Sequence, residues 1–238
     1  MSETILITGV GKRLGFALAL QLLTDGYKVV GTYRSDYPHL QLLRDRGADL
    51  QQVDFCKEGS LANFLDYVSQ EFRELRAIIH NASDWKPENK KDPSDNAVSI
   101  MNQMMTVHAT VPYLVNLTLK DQLTSGDKTS DVIHISDYVA EKGSKKHIAY
   151  AASKAALNNL TLSFSAMMAP KVKVNTVAPA MLKFNEHDDE AYKAKALQKA
   201  LIPTEAGFEE VIDGIKFILA SRYMTGRTLH LDGGRHLK

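Results

Sequence analysis

Short apolar runs alternate along this chain with amphipathic stretches, and the rhythm is regular from end to end. Thr4 to Thr8 is a run of the length and composition of a buried strand, and Phe16 to Thr24 carries apolar residues at helical spacing until Asp25-Gly26 stops it. The next apolar run, Lys28 to Tyr33, completes a βαβ unit of about thirty residues. The pattern then predicts a helix over 38–46, a strand over 49–53, a helix over 59–72 and a strand over 76–80. One long helix is predicted over about 94–122, then a strand over 131–136, a helix over 148–168 and a strand over 172–177. Helices near 187–200 and 206–220 precede a last strand over 228–231. Strands alternating with helices at this spacing imply an α/β fold, a Rossmann-type doubly wound parallel sheet flanked by helices. No repeat, linker or compositional break divides the 238 residues, so residues 1–238 are read as one domain.

Charge and composition narrow the function classes. The net charge of +1 gives no electrostatic case for nucleic acid or an acidic membrane. A single cysteine, Cys56, excludes an intramolecular disulfide. Met1-Ser-Glu-Thr leads straight into Ile5-Leu-Ile with no basic or long apolar leader, and no window approaches a membrane span, so a soluble cytoplasmic protein is expected. The histidines outside the long helix form no spacing suited to a metal.

Between the first strand and helix lies Gly9-Val-Gly-Lys-Arg-Leu-Gly15. Strand, glycine turn, helix is the setting in which backbone N–H groups and a helix N-terminus receive phosphate. The second strand ends in Arg34-Ser35, where a cofactor bearing free ribose hydroxyls would want an acid. Arg34 offers a 2′-phosphate a bidentate partner and Lys12 and Arg13 add charge, so NADPH is favoured over NADH. Further on, Tyr150 and Lys154 stand four residues apart on a predicted helix and share a face. A lysine cation beside a tyrosine favours the phenolate, and the pair is expected to have a lowered tyrosine pKa. Asp137 lies thirteen residues before Tyr150, at a strand's end. The polar run Asp84 to Asp95 is read as a loop at a strand's carboxyl end, and Asn185 to Asp189 as part of a lid.

In this order the segments resemble the short-chain dehydrogenase/reductase family over nearly the whole chain. Thr8-Gly9 with Gly15 is similar to its cofactor turn, Asp54 to its adenine-side acid, and Asn81-Ala82 to its Asn-Ala-Gly segment. Tyr150-x-x-x-Lys154 is similar to its catalytic pair, Asn175 to Pro179 to the segment leading to the nicotinamide, and Thr225-Gly226 with Asp232-Gly-Gly234 to its C-terminal signature. The resemblance places Gly9, Lys12, Arg13, Leu14, Gly15, Arg34, Ser35, Asp54, Phe55, Asn81, Ala82, Ser83, Tyr150, Lys154, Pro179 and Leu182 around the cofactor. It also implies a homodimer or homotetramer built through the two long helices.

The departures from the family pattern are informative. Arg13 replaces the middle glycine of the turn, Ser83 the glycine of Asn-Ala-Gly, and Asp137 the usual catalytic serine; Trp85 follows Ser83 closely. His108 stands where the family's helix usually has an asparagine, for which a relay or kink and simple packing are equal readings. This set resembles the pteridine reductase branch. It implies reduction of a 7,8-dihydropterin, 7,8-dihydromonapterin foremost and dihydrofolate as a further substrate. Asp137, Tyr150 and Lys154 would be catalytic, with Arg13, Ser83, Trp85, Asp137 and Tyr150 around the pterin. A carboxyl group at 137 suits an imine nitrogen that gains a proton, where a serine suits a carbonyl oxygen. A general carbonyl or 3-oxoacyl reductase of the same family, and a non-catalytic NADPH-sensing protein, remain open alternatives.

Overall fold

Among the described residues seven strands lie in one sheet in the order β3-β2-β1-β4-β5-β6-β7, every neighbouring pair parallel. The structure is a computed structural model that describes residues 3–88, 92 and 94–238. The strands are β1 (Thr4–Thr8), β2 (Lys28–Tyr33), β3 (Asp49–Gln52), β4 (Ala77–His80), β5 (Ser130–Ile135), β6 (Val172–Pro179) and β7 (Thr228–Leu231). The helices are α1 (Arg13–Thr24), α2 (Leu40–Asp45), α3 (Ser60–Glu71), α4 (Ala97–Met105), α5 (Val111–Thr118), α6 (Lys120–Thr124), α7 (Val139–Lys142), α8 (Ile148–Met168), α9 (Glu190–Leu197) and α10 (Glu209–Ala220). Among the described residues no helix is long and apolar enough to cross a membrane.

The strands read as continuous apolar runs because both faces of the sheet are covered. Successive side chains alternate between faces. Ile5, Ile7, Ile79, Ile133 and Val177 pack on one side with α1 and α10, while Leu6, Ile78, Val132 and Val174 pack on the other with α3, α5 and α8. Each fully buried aliphatic side chain contributes on the order of 2 kcal/mol. Chain order reverses between β1 and β4, and the crevice at the carboxyl ends of those two strands is where such sheets take ligands.

Two sequence expectations are corrected here. Helix α1 opens at Arg13, a turn earlier than Phe16, and Arg13 itself has φ +53°. That left-handed backbone is the reason a glycine suits this position. The single helix expected over 94–122 is three helices, with a π-helical segment at Thr106–Thr110 between α4 and α5. Pro112 has no N–H to give the carbonyl of His108, four residues back, and the chain widens its bonding there. The loop read over 84–95 is without regular structure from Asp84 to Glu88, while residues 89–91 and 93 of it lie outside the described residues.

Candidate active site

The crevice between β1 and β4 holds a cleft of about 260 Å³ lined by Lys12, Arg13, Leu14, Gly15, Arg34, Ser35, Asp54, Phe55, Asn81, Ala82 and Ser83 among others. Its narrow floor is built by two glycines. A Cβ on Gly15 would stand 2.0 Å from the Gly9 carbonyl oxygen, and one on Gly9 2.7 Å from Ala82 Cα. Asn81 locks the turn from the next strand, its side-chain amide donating to the carbonyls of Thr8 and Gly9 at 3.0 and 2.9 Å. A bare backbone approach, the start of a twelve-residue helix and a cation at the end of β2 together fit a dinucleotide carrying a 2′-phosphate.

Two cations of this cleft have protein partners. Arg34 pairs with Asp84 at 3.0 Å, and Asp84 also accepts from Gln103. Although burial opposes it, the carboxyl of Asp84 is held below its ordinary pKa by the Trp85 N–H, Arg34 and Gln103. Arg13 turns its guanidinium to Asn185 Oδ1 at 2.8 Å and the Lys183 carbonyl at 2.6 Å, over the ring of Phe208. It thus straps the glycine turn to the segment after β6. Pro179 ends β6 and Leu182 belongs to that segment: their carbonyls accept from Tyr138 and Gly207.

The two predicted catalytic elements meet at the carboxyl end of β5. Tyr150, on the first turn of α8, donates to Asp137 Oδ2 at 2.9 Å; the other Asp137 oxygen accepts the Val139 N–H at 3.0 Å. Asp137 therefore both caps α7 and holds the phenol. Lys154 is fully buried and donates to the Ile135 carbonyl at 2.8 Å, with its Nζ 5.6 Å from the Tyr150 ring centroid. The expected lowering of the Tyr150 pKa is not what this geometry gives. Burial, then the negative charge and hydrogen bond of Asp137, push Tyr150 well above the ordinary phenol value. Burial also lowers Lys154 to about 8 and raises Asp137. Tyr150 is thus a protonated phenol at neutral pH, competent to donate a proton, with Asp137 placed to return one.

His108 is a positioning residue, and the kink presents it. The π-helical segment turns the buried ring so that Nε2 accepts from the Asp84 N–H at 3.2 Å and lies 2.9 Å from Ser83 Oγ. Nδ1 lies 2.8 Å from Ser153 Oγ, which itself donates to the Tyr150 carbonyl. Burial and then the charge of Lys154 depress its pKa strongly, so the ring is neutral with its proton on Nδ1. Of the readings open for this histidine the structure shows the kink and the packing: it lies in the π-helical segment, packs edge-on to Tyr150 at 5.3 Å and holds Ser83 Oγ at 2.9 Å.

A second, smaller cleft of about 190 Å³ opens on the Tyr150 hydroxyl side and contains Trp85, Asp137, Tyr138, His147, Met181 and Arg235. Trp85 is 62 % exposed and lies 4.5 Å from the His147 ring, a flat aromatic wall facing open space. Sequence reasoning passed over Asp84, His147, Tyr138 and Arg235. Asp84 and Tyr138 carried a readable signal, since each is next in sequence to a residue of the expected site, Ser83 or Asp137; His147 and Arg235 reach the cleft only through the fold.

Comparison with known proteins places the chain among reductases. The family described as enoyl-(acyl carrier protein) reductase matches residues 9–236. A dihydromonapterin reductase of Klebsiella pneumoniae subsp. pneumoniae is 48% identical over 235 residues, 98% of this chain and 97% of that protein. A dihydromonapterin reductase of Escherichia coli O6:H1 is 47% identical over 238 residues, 100% of this chain and 98% of that protein. Among solved structures, FolM alternative dihydrofolate reductase 1 from Brucella canis, complexed with NADP, has a TM-score of 0.87 at 22% identity, covering 99% of this chain and 94% of that one. The likeness to that structure is one of fold. With a family match across nearly its whole length and almost half its residues shared with reductases that it covers to 97% and 98%, the chain belongs to the short-chain dehydrogenase/reductase family.

Proposed function

We propose that this chain is an NADPH-dependent oxidoreductase that reduces 7,8-dihydromonapterin to tetrahydromonapterin and also accepts dihydrofolate. The observation that carries the reading is the Asp137–Tyr150 hydrogen bond of 2.9 Å at the carboxyl end of β5, in a chain 48% identical to a dihydromonapterin reductase. NADPH, when bound, supplies the hydride for C6 of the pterin. Gly9, Gly15 and the start of α1 would receive its pyrophosphate, and Lys12, Arg34 and Ser35 its 2′-phosphate; Asp54 and Phe55 would flank the adenine.

The residues then have separate tasks. Tyr150 donates the proton that N5 gains as the C6=N5 bond becomes single, and Asp137 shares and restores it. The cation of Lys154, held by the Ile135 carbonyl, orients the nicotinamide ribose and offsets charge at the Tyr150–Asp137 pair. Ser83, with its hydroxyl fixed by His108, meets the polar edge of the pterin, whose ring lies against Trp85. What supports Arg13 in cofactor and pterin binding is its place in the glycine turn, with its head group drawn towards Asn185.

Residues 1–238 act as one NADPH-binding domain in the cytoplasm, assembled as a homodimer or homotetramer. Support for assembly comes from apolar side chains left exposed on the long helices: Val98 and Met101 of α4, Tyr113 and Leu117 of α5, Leu162 and Met167 of α8. The deciding experiment follows NADPH oxidation with dihydromonapterin, dihydrobiopterin and dihydrofolate. Turnover with the pterins is expected, and reduction of a ketone with none of the three would replace this reading by a general carbonyl reductase.

A further inference from the structure

Arg235 is the last charged residue the fold brings to the substrate-side cleft, and nothing in the chemistry above uses it. It opens the 3₁₀ turn Arg235–Leu237 that follows β7, and Gly233 and Gly234, at φ +60° and +74°, bend the chain so that its side chain returns across the sheet end. The guanidinium lies over the ring of Tyr138, 4.6 Å from the centroid, a contact that fixes its direction without using its hydrogen-bond donors. Among the described residues it forms no ion pair. It stands within electrostatic reach of Asp137, so the unspent cation is at the site itself.

Arg235 also marks a junction. With Ala180 and Met181 it lines both the 190 Å³ cleft beside Tyr150 and an adjoining cleft of about 430 Å³ under α9. The smaller cleft is below the roughly 300 Å³ at which ligand pockets usually begin, so it suits a bicyclic ring and leaves a long tail to pass Arg235. Three acids line the adjoining cleft, Glu205, Glu210 and Asp232, and two of them are engaged: Asp232 accepts from His236 and Gly234, and Glu205 from Phe184. On the outer side the exposed Lys199 has Arg235, Lys146 and Lys195 as its electrostatic neighbours, so the rim next to Arg235 is positive.

We propose that Arg235 is a specificity-determining residue that receives an anionic group on the substrate's tail, carboxylate or phosphate, as the tail leaves the ring cleft, with Lys199 and Lys146 drawing it in. The proposal rests on the dihydropterin reading and adds to it what the site recognises beyond the ring. Dihydromonapterin has an uncharged polyhydroxyl tail and dihydrofolate a glutamate, so the same ring can be compared with and without the anion.

The test is steady-state kinetics of wild type and Arg235→Gln with 7,8-dihydromonapterin, dihydrofolate and a phosphomonoester of a 7,8-dihydropterin. KM for an anionic-tailed substrate is expected to rise at least tenfold more than KM for dihydromonapterin, with kcat moving less than KM and Arg235→Lys restoring most of the loss. Whichever anionic substrate responds identifies carboxylate or phosphate as the group read. An equal rise for all three substrates, a displaced pH profile of kcat for all three, or no change at all would make Arg235 a support for Asp137 and Tyr138 and overturn the proposal. Should Arg235→Gln not fold, the wild type decides: KM rises with salt for the anionic tails alone, and a flat response overturns it. Wild-type enzyme that reduces no dihydropterin refutes the parent reading. Enzyme that reduces dihydromonapterin but neither anionic substrate refutes this proposal and the acceptance of dihydrofolate, and leaves the dihydromonapterin reading standing.

Discussion

At the scale of single residues, the departure that matters is a carboxyl group in a place where the family usually has a hydroxyl. Asp137 accepts from Tyr150 and from the Val139 N–H, and burial raises its pKa above the ordinary carboxylate value. Asp137→Ser keeps a cap for Val139 but removes the group that reloads Tyr150. Its kcat for dihydromonapterin is expected to fall about 10²-fold, in line with loss of a general acid/base partner. Stopped-flow or steady-state NADPH oxidation checks this, and a variant as fast as wild type would show that Tyr150 suffices. Lys154 sets an alkaline limit. Its pKa of about 8 means that the free enzyme loses this cation as pH rises through 8, and kcat/KM is expected to decline there. Asp137 and the Tyr150/Lys154 pair were legible in the sequence through their spacing together with the resemblance to the family. The sense of the Tyr150 shift was not, because spacing shows which charges are close and says nothing of how dry the site is.

At the scale of elements, the bend between α4 and α5 and the polar column beside it organise the interior. His80 on β4, Asn116 on α5, His134 on β5, Thr161 on α8 and Thr176 on β6 are joined in one buried chain of hydrogen bonds. His80 Nδ1 has no partner, and burial holds His80 down to about 4 and His134 well below its ordinary value. The unfolded chain takes up protons near pH 6.5 and the folded one does not, so stability is intact above 6.5 and is lost as pH falls towards 4. For His80 the shift corresponds to roughly 3 kcal/mol at about 1.4 kcal/mol per unit. Urea unfolding between pH 7 and 4 is expected to show this fall, with His80→Asn flattening it; a stability unchanged over that range would mean that the column opens to water. The strands and most helix limits followed from apolar periodicity. The break at Thr106–Thr110 had its signal in Pro112, which a long amphipathic pattern on both sides obscured.

Over the whole molecule, the sheet order collects residues far apart in the chain at one edge. Gly9, Arg34, Ser83, Asp137 and Arg235 come from different strand ends or the turns after them and Tyr150 from the first turn of α8, and the reversal between β1 and β4 opens the cleft on the cofactor side. Motif order made the cofactor side readable because each motif directly follows its own strand. The rim was unreadable, since Arg235 reaches it through a C-terminal turn that no local pattern ties to Tyr138. Cofactor choice is a property of this larger arrangement. Arg34→Asp is expected to reduce kcat/KM with NADPH by about 10- to 100-fold, the worth of a charge-assisted contact, and to move the NADPH:NADH ratio towards NADH. An unchanged ratio would place the 2′-phosphate elsewhere.

The Arg34–Asp84 pair carries one more consequence, for how such an enzyme can change over generations. An acid at position 34 would face the carboxylate of Asp84, whose partner at 3.0 Å is now the arginine, across the same gap. Arg34→Asp alone exchanges attraction for repulsion beside Trp85 and Ser83, and Asp84→Asn alone leaves Arg34 without its counter-charge. Each single step is a loss before their combination is a gain. The two positions are therefore coupled, and Arg34→Asp combined with Asp84→Asn is expected to use NADH better than Arg34→Asp alone.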